Sequence, residues 1–284
     1  MAERVELQLD VTSALGLGEA AHIAATVILP EVMPQWPVLA FATPGASYTR
    51  SYYAHDLPGP ASGAQADFHA DRGWIFVAMD HLGTGESSRH DPQRLDFAHC
   101  TRAALAAEQQ VLTRLANGGL RPGLPPVLQP VRIGLGQSTG GSMAIVQQAL
   151  HRCYDGLAVL GFSAGFNQPA TAPGEAPVVS PWYSRNAAPG EADTAINAAA
   201  LAAAQREAAG QSAWASLAWS FHYDDVAAEV VERDLAHYHA IVAKSPAPPH
   251  ARREPWNAYA TPEEAARFVL TPGVVASEAA AITV

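Results

Sequence analysis

The chain has 284 residues, of which 49% are hydrophobic and 15% are charged. This composition excludes a disordered or fibrous protein and is sufficient for one large core with an insertion. Acidic residues outnumber basic ones by 27 to 17, for a formal net charge of −10, so a nucleic-acid backbone would be repelled. The sequence contains neither an apolar run of about 20 residues, as a membrane span requires, nor a signal peptide. We therefore expect a cytoplasmic protein that binds no nucleic acid.

The first elements in chain order are two apolar segments, Val5–Val11 and Ala24–Leu29. Their β-type patterns are separated by a turn that contains Gly16 and Gly18. Two strands joined in this way are typical of an antiparallel hairpin.

Three short apolar runs follow, and each ends in a glycine-containing turn: Val38–Ala42, Trp74–Met79 and Val131–Leu135. Continuous apolar strands indicate burial on both faces. A helical pattern from Asp91 to Leu115 lies between the last two runs. This alternation of strand and helix predicts an α/β fold with a mostly parallel sheet.

A second helix is predicted from Thr139 to about Arg152, followed by a sixth strand at Leu157–Gly161. We expect the N-terminal hairpin at one edge of the sheet and this strand near the other. The first unit, residues 1–162, is therefore interpreted as the core.

Residues 163–270 have no convincing strand and read as a helical insertion. The evidence is an Ala-rich stretch at Asp193–Ala209, an apolar stripe formed by Val231, Leu235, Tyr238 and Val242, and a capping box at Thr261–Glu264. Residues 271–284 are expected to return to the core, with Ala279–Val284 approaching the next strand.

The most informative motif is Gly136-Gln137-Ser138-Thr139-Gly140, which lies between a predicted strand and a predicted helix. A G-x-S-x-G motif in this context forms a nucleophile elbow, a strained turn that exposes the serine hydroxyl. Small residues two positions before and after the serine are needed to avoid clashes. The N–H of Thr139, at the start of the helix, is expected to point into the same space.

Two further turns follow buried strands. Asp80–Ser87 matches D-x-x-G-x-G-x-S in full, and Pro44-Gly45-Ala46 follows the first of the apolar runs. A glycine turn of this kind can direct the next backbone N–H into a pocket, which would suit Ala46 as an oxyanion donor.

These three turns, in this order and followed by a helical insertion, resemble the α/β-hydrolase family, specifically its branch with a helical cap. The resemblance implies that Ser138 is the nucleophile and that the N–H groups of Thr139 and Ala46 form the oxyanion hole. It also implies cleavage of an ester, thioester, amide or C–C bond of a small apolar substrate, with no metal or other cofactor. Where the family often has His-Gly at the first turn, this chain has Pro44-Gly45.

The family places its catalytic acid and then its histidine after later strands of the sheet. Neither Glu278, the only carboxylate in the final residues, nor His250, the last histidine, stands at a matching position. Three interpretations stay open: a fragment of a longer hydrolase, a base and acid supplied by another segment, or a protein without catalysis. The first predicts that the chain alone is nearly inactive and self-associates through an exposed sheet edge.

Several histidines and aromatic residues outside these turns could have either a structural or a functional role. His237 and His239 cannot share a helix face, and His81 is expected to make a local hydrogen bond more often than to act as a substitute base. The aromatic residues Tyr52, Tyr53, Trp214, Trp219 and Phe221 could line a substrate pocket, although packing is the commoner role.

Two rival functions remain. Gly134-Leu135-Gly136, followed by Gly140, is a near-match to a dinucleotide-binding fingerprint but has one residue too many before the last glycine. The second rival is a catalytically silent, hydrolase-like module that binds a small apolar ligand.

Overall fold

The computed structural model of the chain describes residues 2–45, 48–56, 63–91, 94–165, 222–244 and 273–283. The strands are β1 Glu3–Asp10, β2 His22–Leu29, β3 Val38–Thr43, β4 Ile75–Met79, β5 Val131–Gln137 and β6 Gly156–Leu160. The helices in these ranges are α1 Thr12–Leu15, α2 Ser51–Ala54, α3 Gln65–Ala70, α4 Phe97–Ala116, α5 Thr139–His151, α6 Ala228–Lys244 and α7 Ala276–Ala281.

The six strands form one sheet in the order β1-β2-β4-β3-β5-β6. β1 and β2 pair antiparallel, and β2 pairs antiparallel with β4. The remaining pairs, β4 with β3, β3 with β5 and β5 with β6, are parallel. The predicted α/β fold is confirmed: the hairpin lies at one edge of the described sheet and β6 at the other.

Both faces of the sheet are covered, as the continuous apolar strands predict. In β4, Ile75, Val77 and Met79 join the larger cluster of buried side chains, which includes α4 and α5. Phe76 and Ala78 join the smaller cluster with Tyr53, from α2. This alternation follows from the two-residue period of a strand.

Helix α4 begins at Phe97, later than the predicted Asp91, because Asp96 caps it. The Asp96 carboxylate accepts a 2.7 Å hydrogen bond from the His99 N–H, and such a bond satisfies one of the free amides at a helix start. The helix buries its apolar stripe, including Val111 and Leu115, against the sheet.

The prediction that Ala279–Val284 approaches a strand is wrong in the described residues. Ala276–Ala281 form α7, and Ile282 and Thr283 follow it without strand structure. The β-branched ending suggested a strand, but the preceding Ala-Ser-Glu-Ala-Ala-Ala run is a strong helix former. Val274 and Val275, just before α7, are buried in the core, so this segment does contact the core.

Within the predicted insertion, the helix with the apolar stripe is present as α6, Ala228–Lys244. The predictions at Asp193–Ala209, Trp214, Trp219, Phe221, His250 and Thr261–Glu264 lie outside the described residues. Among the helices that are described, none is both long and apolar enough to cross a membrane.

Candidate active site

Ser138 connects the end of β5 to the start of α5 in a backbone conformation that non-glycine residues rarely adopt, with φ 52° and ψ −117°. The surrounding hydrogen bonds hold it there. Its N–H donates to the Leu160 carbonyl at 2.8 Å, and its carbonyl accepts from the Gly141 N–H at 2.8 Å. A strained turn persists only where its neighbours fix it, and such turns cluster at functional sites.

The two glycines of the motif are required by the backbone around them. A Cβ added to Gly136 would lie 2.5 Å from the Gly141 nitrogen, and one added to Gly140 would lie 2.6 Å from the Pro44 carbonyl oxygen. Both obstacles are main-chain atoms that cannot rotate away. The clash predicted for larger residues at these positions is confirmed.

Thr139 is the first residue of α5, and only 2% of its surface is exposed. The first amides of a helix have no carbonyl partner within it. The Thr139 N–H is therefore available to a group that approaches the helix start from outside.

The turn after β3 lies directly beside Ser138. A Cβ built on Gly45 would be 3.3 Å from the Ser138 Cβ, a tight contact, so the turn approaches Ser138 closely. Tyr48 donates its N–H to the Gly45 carbonyl at 3.1 Å and closes the turn. Ala46, predicted as the second oxyanion donor, lies outside the described residues.

The D-x-x-G-x-G-x-S segment braces the same edge of the sheet. The buried Asp80 carboxylate accepts hydrogen bonds from the Arg50 N–H at 2.6 Å, from Arg50 Nη1 at 2.5 Å and from the Glu86 N–H at 2.9 Å. Gly85, with φ 53°, packs its Cα against that carboxylate. Ser87 accepts from the Ala24 N–H at 3.0 Å, which fastens the loop to β2.

Arg50 is a structural centre of this region that the sequence did not reveal. Besides Asp80 it contacts Glu86 and Glu6, and its Nε donates to Thr26 at 2.9 Å. Burial lowers the pKa of Arg50, but attraction to Asp80 and Glu86 outweighs burial and raises that pKa above its ordinary value. The sequence signal that could have pointed to this role is weak: Arg50 is a single basic residue shortly after the Pro44-Gly45 turn.

His81 makes a backbone hydrogen bond, although to the neighbouring loop rather than within its own turn. Its Nε2 lies 2.7 Å from the Pro44 carbonyl oxygen. Because a carbonyl can only accept, Nε2 carries the proton. Burial lowers the pKa of His81, so the ring is neutral near pH 7.

Tyr53 packs in the core: it is fully buried and donates its hydroxyl to the Thr43 carbonyl at 3.1 Å. Tyr52 packs edge-to-face on Tyr53, with ring centroids 4.9 Å apart. His237, from α6, stacks on His55 with centroids 3.4 Å apart, so the described part of the predicted insertion contacts the core. The described residues contain no group of three or more His, Cys, Asp or Glu placed to hold a metal ion.

The strand order, together with the strand–turn–helix at Ser138, defines an α/β-hydrolase-type fold. No protein-family model matches the sequence, and no curated protein matches it at a significant level.

Solved structures that resemble the chain include three hydrolytic proteins. A probable hydrolytic enzyme from Pseudomonas aeruginosa is 19% identical with a TM-score of 0.40, over 54% of this chain and 40% of that one. A thermostable carboxyl esterase from Bacillus coagulans is 16% identical with a TM-score of 0.39, over 58% and 46%. An α/β hydrolase from Novosphingobium aromaticivorans is 13% identical with a TM-score of 0.37, over 58% and 45%.

The chain thus spans less than half the length of these three proteins. At such identities and TM-scores they assign neither activity nor substrate, which have to be inferred from this chain's own residues.

Proposed function

We propose that the chain is a serine hydrolase in which Ser138 attacks the carbonyl carbon of a small apolar ester or related acyl compound. The observation that carries the proposal is the strained backbone of Ser138 at the carboxyl edge of the parallel strands, beside the Pro44–Gly45 turn. A serine held in this way presents its hydroxyl outside the sheet.

In the proposed reaction a base, which the resemblance places after later strands, takes the Ser138 hydroxyl proton as the Ser138 oxygen adds to the substrate carbonyl, and the negative charge forms on the carbonyl oxygen. The N–H groups of Thr139 and Ala46 stabilise that oxygen. Collapse of the intermediate expels the leaving group, which takes the proton from the base, and leaves an acyl-Ser138 ester. Water, deprotonated by the same base, then hydrolyses this ester and the proton returns to Ser138.

No described residue is assigned as the catalytic base or acid. His81 does not offer its Nε2 to Ser138, because that nitrogen donates to Pro44. The resemblance places both groups after later strands. Residues 163–270 are proposed as a cap over the site, consistent with the contact between His237 and His55.

The test, made on a complete version of the protein that carries its base and acid, is hydrolysis of p-nitrophenyl acetate and butyrate, together with labelling of the protein by a fluorophosphonate. Ser138→Ala should lose both, with turnover falling by about 10⁴–10⁶-fold, as when a triad member is removed. Ser277→Ala, on the exposed side of α7, is the matched control and should behave like the wild type.

Wild-type turnover in Ser138→Ala, or labelling at another residue, would remove Ser138 from the mechanism. If the wild type neither turns over esters nor reacts with the label but does bind small apolar ligands, the silent binding module is the better description.

A further inference from the structure

We propose that His81 is a positioning residue, which holds the Pro44 carbonyl through its Nε2–H and so fixes the turn beside Ser138. The inference rests on the proposed function, in which the N–H of Ala46, one peptide further along that turn, is the second oxyanion donor.

The loop after β3 is held at both of its described ends by consecutive residues of the neighbouring loop. Asp80 accepts the Arg50 N–H at 2.6 Å, and His81 donates to the Pro44 carbonyl at 2.7 Å. Two adjacent residues thus fix the start and the end of one segment. Such double attachment restricts how that segment can rotate against β3.

The bond to Pro44 acts at a sensitive position. The proline ring already fixes φ of residue 44, so the free rotation left at that residue is ψ, which sets the plane of the Pro44–Gly45 peptide. His81 holds the carbonyl oxygen of this peptide. The following peptide carries the Ala46 N–H, whose direction depends on the plane before it.

The backbone that carries the His81 ring is itself well held. The Thr84 N–H and the Thr84 hydroxyl both donate to the His81 carbonyl, at 3.1 Å and 2.9 Å. The Asp80 contacts to Arg50 and Glu86 fix the residue before it. A rigid donor can hold a peptide plane, whereas a mobile one would follow it.

The experiment compares His81→Leu, which removes the donor at similar size, with His81→Gln, whose amide N–H reaches almost as far as imidazole Nε2. His81→Leu should lower kcat on p-nitrophenyl butyrate by about 10- to 100-fold, with KM changed by less than about threefold. This loss is below the roughly 10²–10³-fold cost of deleting an oxyanion donor outright. His81→Gln should recover most of kcat, and His151→Leu, at the far end of α5 from Ser138, should match the wild type.

Equal loss in the Leu and Gln variants would show that the imidazole itself is needed and would overturn the positioning role, as would an unchanged kcat in His81→Leu. Failure of the proposed function is separate, because it appears as activity retained in Ser138→Ala or as a wild type that neither turns over esters nor reacts with the label.

A second measurement needs no turnover. The Tyr48 N–H closes the turn on the Gly45 carbonyl at 3.1 Å, and its hydrogen exchange reports how often the turn opens. His81→Leu should speed this exchange by about tenfold or more, His81→Gln should restore it, and the Phe41 amide in β3 should not change. Tyr48 exchange at the wild-type rate in His81→Leu would show that His81 does not hold the turn.

Discussion

The hydroxyl of Tyr154 donates a 2.5 Å hydrogen bond to a carboxyl oxygen of Glu108 in the interior of the protein. Only 2% of Glu108 and 7% of Tyr154 is exposed. Burial raises the pKa of Glu108 to about 8, although hydrogen bonds from Tyr154 and Gln147 oppose the shift. Glu108 is therefore protonated in the folded protein at neutral pH, which avoids an isolated buried charge.

The raised pKa predicts that Glu108 makes a contribution to stability that is lost as pH rises from about 5 to 8. In this window the folded chain holds a proton on Glu108 that the unfolded chain, with the ordinary pKa near 4.5, has lost. The contribution of Glu108 to the free energy of unfolding should therefore fall by up to about 1.4 kcal/mol per pH unit. Above the folded-state pKa, Glu108 is ionised in both the folded and the unfolded chain, so it no longer changes the free energy of unfolding with pH.

Urea unfolding at several pH values, on the wild type and on Glu108→Gln, measures this effect. The free energy of unfolding of the wild type, relative to that of the Gln variant, should fall as pH rises, because the Gln side chain does not titrate. Glu31→Gln, at an exposed position, should retain the wild-type slope. Parallel curves for the wild type and Glu108→Gln would mean that Glu108 keeps an ordinary pKa when folded.

Arg50→Met is predicted to be strongly destabilising. The substitution leaves the Asp80 carboxylate, whose side chain is 0% exposed, without its guanidinium partner. Breaking one side of a buried ion pair typically costs about 3–5 kcal/mol. Arg94→Met is the control, because the Arg94–Glu19 pair is 48% and 44% exposed and such pairs contribute about 1 kcal/mol or less.

Chemical unfolding of the two variants, at the same pH and salt, checks this comparison. A second variant, Arg50→Lys, should recover only part of the loss, because an ammonium cannot reach Asp80, Thr26 and the glutamates together. Similar losses for Arg50→Met and Arg94→Met would contradict the central role given to Arg50.

The features that could be predicted from the sequence are those determined by residues close together in the chain. The apolar runs and glycine turns placed the six strands and the elbow, because strand burial and turn sterics depend on nearby residues. Arg50 was missed because its partners, among them Glu6 in β1 and Asp80 just after β4, are far apart in the sequence and meet only in the folded protein. Glu108 was missed because a helix sequence does not show which of its carboxylates is buried.

At the end of the described chain, a local signal was present in the sequence but the prediction did not follow it. Ala279–Ala281 have high helix propensity, yet the expectation of a further strand outweighed that local signal. The D-x-x-G-x-G-x-S motif identified the segment that contains Asp80 from the sequence. The roles of its residues became clear only from the structure, in which Asp80 binds Arg50 and Ser87 binds the Ala24 N–H in β2.

Gly140→Ala is predicted to damage both stability and turnover. The new methyl group would meet the Thr43 and Pro44 carbonyls, the latter at 2.6 Å, so α5 or the turn after β3 has to move. Overpacking of this kind costs about 1–3 kcal/mol. Gly119→Ala is a matched control, because its methyl group would lie 3.7 Å from the Arg114 carbonyl oxygen, which is an ordinary contact.

The two variants separate the elbow's geometry from a general effect of adding a methyl group. Urea unfolding should show the larger loss for Gly140→Ala, and ester hydrolysis should fall by more than its unfolded fraction explains, because Ser138 and the Pro44–Gly45 turn no longer meet at the same separation. Gly119→Ala should stay within about 0.5 kcal/mol of the wild type, as surface substitutions usually do. If Gly140→Ala were as stable and active as the wild type, the close backbone contact between Gly140 and Pro44 would not be what holds the turn against the elbow.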